Sequence, residues 1–145
     1  EGKCAICNYT TELVADHANT VKGKIPRALL CISCNLKLGH IERVIIPLYS
    51  RIINFLSFNL DVKYDKKTSK IVLSNHSYCE ICGSEHNLGV DHCHRTNYIR
   101  GVLCQRCNAA IGVYEKNNLN PYYNYINRYG KSHIDMEFTL RSLRH

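Results

Sequence analysis

The chain has 145 residues, a formal charge of +7 and nine cysteines. That length suits one ordinary domain or two very small ones, and each half alone is near the size at which a hydrophobic core needs a staple. No stretch reads as a signal peptide or a membrane span, so no membrane partner is expected.

The chain starts at Glu1 rather than Met, and a Cys4-x-x-Cys7 pair follows at once. An upstream segment is expected to have been removed or left out, with tag cleavage as the simpler alternative. Three more such pairs follow: Cys31/Cys34, Cys79/Cys82 and Cys104/Cys107. Cysteines in this arrangement are disulfides in a secreted scaffold or metal ligands in a reducing compartment. Knuckle spacing repeated this regularly favours zinc, two ions per chain, and a cytoplasmic location. Two Zn(Cys)4 centres bring eight thiolate charges and four metal charges, which lowers the charge by four. Binding to a polyanion must then rest on where the basic residues sit.

"CAICNYTTELVADHANTVKGKIPRALLCISCN" (4–35) and "CEICGSEHNLGVDHCHRTNYIRGVLCQRCN" (79–108) share one plan. Each has a C-x-x-C, eight residues, Asp-His, a short apolar run and C-x-x-C-N. The likeness continues through Gly39 and Gly112, Glu42 and Glu115, Pro47 and Pro121, and Ile52 and Ile126. Such an internal repeat marks duplication. Residues 1–75 form the first unit with its connector, and 76–145 the second.

Taken in chain order, the first knuckle is a tight turn, and a hairpin and a helix follow it. Ile45, Leu48, Ile52, Phe55 and Leu56 make a core stripe. Val62–Tyr64 and Ile71–Leu73 flank "DKKTSK" and read as a connecting β-hairpin with a basic tip. In the second unit Leu88–His92 reads as a strand, Arg95-Thr96-Asn97 as a turn and Tyr98–Leu103 as the returning strand. A helix then runs from the second knuckle to about Lys116. Asn120-Pro121 reads as N-cap and N1 of another helix. The tyrosines of "NPYYNYINRY" are expected to pack rather than to stack bases, and "MEFTLRSL" alternates like a strand. The fold class is therefore α+β: two tandem zinc-braced repeats, each with a hairpin and two helices, joined by a β-hairpin.

Four cysteines fill a tetrahedral zinc shell and leave no open position, so both zincs are structural. In the second unit the metal would tie the strand carrying Asp91 and His92 to the first turn of the helix carrying Asn108. A second, open metal site can form there. Asp91 and His92 are adjacent, and a regular strand would send them to opposite faces, so this strand must be distorted or ending. Cys93 alternates away and is expected to be a small packed residue rather than a ligand.

The pattern "C-x2-C … DHCH … RGVLCQRCN…IG" resembles the ββα-metal (HNH or His-Me) nucleases, in particular the zinc-braced endonuclease VII family. The doubled unit is similar to type II restriction endonucleases of that superfamily with two zinc-bound repeats. The resemblance implies that Asp91 and Asn108 hold a catalytic Mg2+ or Mn2+, that His92 is the general base, and that His94 is the second histidine of a D-H-x-H. His94 would contact the phosphate or support the site, or else lie on plain surface. The substrate would be double-stranded DNA, cut at a short palindrome by a homodimer, with no organic cofactor. The rivals are a junction-resolving or homing endonuclease of the same chemistry and a non-catalytic zinc module that only binds DNA. Arg95, Arg100 and Arg106 flank the motif and are candidates to grip phosphates. The first unit keeps Asp16, His17 and Asn35 but has Asn19 where the second has His94. It is a second active site, a decayed one that reads DNA, or a scaffold; the resemblance favours one catalytic copy, the second.

Overall fold

The computed structural model describes residues 2–130 and is α+β, with two tandem halves of one plan. In the first, β1 (Leu13–Thr20) and β2 (Gly23–Cys31) pair antiparallel and lead into α1 (Ile32–His40), a π-helical turn (Ile41–Ile45) and α2 (Tyr49–Leu56). After α3 (Lys66–Ser74), the second half repeats the plan. Its β3 (Leu88–His92) and β4 (Ile99–Cys104) pair antiparallel and are followed by α4 (Gln105–Lys116) and α5 (Asn120–Tyr129). The expected tail strand at 136–143 lies outside the described residues. Among the described residues no helix is long and apolar enough to cross a membrane.

The knuckles are shaped by their own sequence. The residue after the second cysteine of each leading pair has a positive φ, 66° at Asn8 and 80° at Gly83. Those are the residue types that enter this region at least cost. Each knuckle is stitched to its hairpin by one backbone bond, Ala5 N–H to the Leu29 carbonyl (2.9 Å) and Glu80 N–H to the Val102 carbonyl (3.0 Å).

The connector differs from expectation. Val62–Tyr64 does run extended, but it lies beside the start of β4: Ile99 N–H donates to the Val62 carbonyl and Tyr64 N–H to the Asn97 carbonyl, both at 2.8 Å. Ile71–Leu73 is not its partner strand but belongs to α3. The reason is local. Asp65 caps that helix, its carboxylate accepting from Thr68 N–H at 2.7 Å, and such a cap outweighs the weak β preference of three residues. The final helix also starts one residue earlier than its Asn-Pro suggests, with Leu119 at the cap position.

The two halves share one core. Ile45, Leu48, Ile52 and Phe55 from the first half are buried in the same cluster as Ile81, Leu103, Ile111 and Ile126 from the second, with Leu56 at its margin. The tyrosines of α5 pack as expected, but onto the other repeat. The Tyr122 hydroxyl donates to Cys34 Sγ at 3.6 Å and the Tyr125 hydroxyl to Asp16 Oδ2 at 2.7 Å. In return α2 reaches the second half, where the Arg51 guanidinium donates to the Ile81 carbonyl at 3.1 Å.

Gly101 on β4 sits at this junction. A β-carbon there would run into the Glu80 carboxylate and stand 2.9 Å from the Phe55 ring. Glu80 can swing aside only by giving up its bond from Val102 N–H. Gly101→Ala is therefore expected to cost about 1–3 kcal/mol, a typical overpacking penalty, read as a lower midpoint of thermal unfolding.

Candidate active site

Each half gathers four thiols. Cys4, Cys7, Cys31 and Cys34 form one cluster and Cys79, Cys82, Cys104 and Cys107 the other, the sulfurs of each within 4.8 Å of one another. In both, the third cysteine caps the following helix, with Cys31 Sγ accepting from Cys34 N–H and Cys104 Sγ from Cys107 N–H at 3.4 Å. The donor set and spacing fit a tetrahedral zinc in each cluster. Elemental analysis of the purified protein should give close to two zincs per chain; a value near zero with intact disulfides would overturn this.

The zinc-braced hairpin of the second half aims its polar residues through a bulge. The register shifts between Asp91 and His92, with Asp91 opposite Gly101 and His92 opposite Ile99. Arg100 is the extra residue on β4. This is the distortion that the adjacent Asp-His demanded, and it lets Arg100 turn inward onto Asp91. The Arg100 guanidinium donates to Asp91 Oδ2 (2.8 Å) and Oδ1 (3.4 Å), and from its other edge to Glu115 (2.8 and 3.0 Å). Arg100, read from sequence as a phosphate-gripping residue, is thus buried and spent on two carboxylates.

A cavity of about 910 Å³ opens over this arrangement, with Asp91, His94, Arg95, Arg100, Asn108 and Glu115 in its walls. Asp91 and Asn108 present a carboxylate and an amide to the same space, hard oxygen donors of the kind Mg2+ takes. Burial pushes the Asp91 carboxyl above its usual range; Arg100 opposes this and Glu115 adds to it. A buried carboxylate still short of positive charge fits a further cation.

His92 stands beside the cavity in a stack. Its ring lies 4.2 Å from Tyr64 on one side and 4.8 Å from His94 on the other, centroid to centroid. Burial, His94 and Arg100 draw its pKa down against the pull of Asp91, which favours the neutral imidazole. Cys93 is not packed into the core as expected. It is half-buried in the cavity wall, and hydrogen bonds from the Thr96 side chain and from backbone amides bring its thiol down to about 7.

The first half holds the same constellation in a smaller cavity of about 280 Å³. Arg27 replaces Arg100 and bridges Asp16 and Glu42. The sequence carries a signal for this pair of bridges. Arg27 and Arg100 stand at the same offset before Cys31 and Cys104, and Glu42 and Glu115 at the same offset after. Three differences matter. Asp16 Oδ2 also takes the Tyr125 hydroxyl. Glu42, on the π-helical turn, has a side chain only 6% exposed, against 40% for Glu115 on a regular helix. Arg27 donates once more, to the Gly130 carbonyl at 2.9 Å.

Of the remaining arginine candidates, Arg95 is exposed in the wall of the large cavity, whereas Arg106 lines the small one. Lys37 of the first repeat in turn lines the large cavity. No local pattern could have placed Lys37 there or Tyr64 against His92, because both arrive from outside the second repeat.

The family described as recombination endonuclease VII matches the chain twice, over residues 1–58 and 56–128. No curated protein and no solved structure matches the chain.

Proposed function

Because this chain belongs to the recombination endonuclease VII family and is thereby a DNA endonuclease, we propose that it hydrolyses phosphodiester bonds of double-stranded DNA with one ββα-metal centre. Residues 76–145 form the catalytic unit and 1–75 its non-catalytic partner. The observation that carries the reading is the convergence of Asp91, His94 and Asn108 on one cavity, with His92 stacked at its side. Asp91 and Asn108 would hold a Mg2+ or Mn2+ ion, which would supply positive charge at the phosphate. His92, neutral near physiological pH, takes the proton of the attacking water. Arg100 and Glu115 orient Asp91. Arg95 and Lys37 lie where they can meet DNA phosphates.

His94 as the base is the second reading, favoured by its place in the cavity wall itself. For the substrate, the family's description points to branched recombination DNA. The doubled zinc repeat supports the alternative of a restriction enzyme cutting a short palindrome. One centre per chain cuts one strand per binding event, so a homodimer would serve either substrate.

Digesting a plasmid and a four-way junction side by side, with and without Mg2+ or Mn2+, tests this. Metal-dependent cleavage concentrated on the junction supports the first substrate, and discrete plasmid bands support the second. DNA binding with no metal-dependent cleavage would leave only a zinc-braced binding module.

The first repeat is expected to be dispensable for chemistry. His17 is exposed, and His17→Ala should leave the rate at saturating DNA within about 3-fold, as for most surface substitutions. Asp16→Ala would strip a buried arginine of one partner and cost stability, so Asp16→Asn is the better probe. Loss of cleavage in both His17→Ala and Asp16→Asn, with folding intact, would show a second working site.

A further inference from the structure

We infer that the small cavity of the first repeat is a second DNA contact, a seat for a backbone phosphate rather than a second metal centre. The inference rests on the nuclease reading only for the identity of the polyanion.

Its ground plan is that of the catalytic cavity, but the features that would attract a cation are closed. Both Asp16 oxygens accept from Arg27, and Oδ2 takes the Tyr125 hydroxyl as well. Glu42 takes two bonds from the same guanidinium, at 3.0 and 2.7 Å. Four of these five contacts have counterparts from Arg100 to Asp91 and Glu115; the Tyr125 hydroxyl is the addition, and it takes an Asp16 lone pair that a metal would use. Among the described residues the second repeat shows no counterpart of the Tyr125 bond: the aligned residue is Arg51, which donates to the Ile81 carbonyl.

Arg27 offsets one of the two carboxylate charges, so the sign of the cavity is decided by its other walls. Arg43 comes from the π-helical turn and Arg106 from the first turn of α4, and both are exposed. Among the described residues that line it the acids are Asp16 and Glu42, and Arg27 bridges both. Asn35 adds an amide, and His40 lines the cavity as well. Burial, Arg43 and Arg106 all draw His40 down, so it is a neutral hydrogen-bonding group there. Two guanidiniums and an amide around a pocket with internally paired acids favour an anion, and guanidinium suits phosphate oxygens.

The placement matters for the reaction. Arg106 is two residues before Asn108 on α4, so a phosphate held in the first repeat touches the helix that carries a proposed metal ligand of the second. One chain would then grip DNA at two points, the scissile phosphate in the large cavity and another in the small one.

The test uses the full zinc-loaded chain carrying His92→Ala, so that DNA stays intact. Binding of a fluorescent duplex is measured by anisotropy across a KCl series without divalent metal. Arg43→Ala combined with Arg106→Ala is expected to weaken binding about 10-fold or more near physiological salt. It should also reduce the slope of log affinity against log salt by about one, the share of one phosphate contact. The corresponding double lysine variant keeps the charge and should recover most of the slope. An unchanged slope and affinity in the alanine pair, with two zincs and a native melting curve, would overturn the inference and leave the nuclease reading standing. A parent chain that binds no DNA would overturn both.

Discussion

Replacing His92 with alanine should reduce strand cleavage by at least ~10²-fold, a typical contribution of a general base. Both zincs, the fold and DNA binding should survive. The side chain is partly exposed, stacked between Tyr64 and His94, so its removal leaves no buried charge unpaired. Asp91 differs. Asp91→Ala would leave Arg100 buried against Glu115 alone, a loss of about 3–5 kcal/mol when one partner of a buried pair is removed. Asp91→Asn keeps the shape and tests the charge. Its cleavage should be partly restored by excess Mn2+, while His92→Ala should gain little. The pH dependence has a definite sign. A base must be neutral, and burial, His94 and Arg100 lower the His92 pKa. Wild-type activity should therefore hold to a pH below the ordinary imidazole value of ~6.5 before it falls with acidification. Near-normal cleavage by His92→Ala would transfer the role to His94.

Stripping zinc should be as damaging to the fold as His92→Ala is to the chemistry. Six of the eight clustered thiols, Cys4, Cys31, Cys34, Cys79, Cys104 and Cys107, are buried in the one core shared by the repeats, and the Tyr122 hydroxyl ties α5 of one repeat to Cys34 of the other. Structural zinc in isolated finger peptides contributes about 10–16 kcal/mol of apparent binding free energy. If half of that is realised here, chelation should lower the melting midpoint by at least ~15 °C. Cys107→Ser, at a fully buried ligand, should do the same at one cluster and destabilise both repeats. A metal-free protein that melts within a few degrees of the holoprotein would sink this expectation. Acid should act in the same direction as the chelator, because the ligands are thiolates. Burial opposes the Cys4 thiolate, yet backbone donors at Cys7, Cys31 and Ile6 bring it to about 7. The Cys107 thiol draws Cys104 to about 6, against the repulsion of Cys79. A thiol depressed in the folded state stabilises fully above its unfolded pKa. It loses that contribution as pH falls through the folded one. Zinc retention and stability should accordingly decline together as pH falls, because protons compete with the metal for the thiolates.

Much of this was legible in the chain before any coordinates. The C-x-x-C pairs, the hairpin between them and the helix after Cys104 depend on contacts close in sequence, and spacing encodes such contacts directly. Even the bulge beside His92 was implied, since adjacent Asp and His cannot face one cavity from a regular strand. The connector departs from the expected hairpin for an equally local reason: the cap at Asp65 outweighs the β preference of a few branched residues.

Other features could not be read from residue type alone. Arg100 carries the composition of a phosphate ligand, but a bulge turns it onto Asp91 and Glu115. Arg106 belongs by sequence to the second repeat and by position to the cavity of the first. Tyr125 occludes Asp16 from a distance of 109 residues. The bulge acts within one repeat, whereas the places of Arg106 and Tyr125 depend on how two copies of one unit pack against each other. Duplicated residues begin with the same chemistry, and the shared core then places a hydroxyl beside one carboxylate and not beside its twin. Residue type and spacing marked out two like constellations; the packing of α5 across the first repeat sets a tyrosine hydroxyl on the carboxylate of one of them.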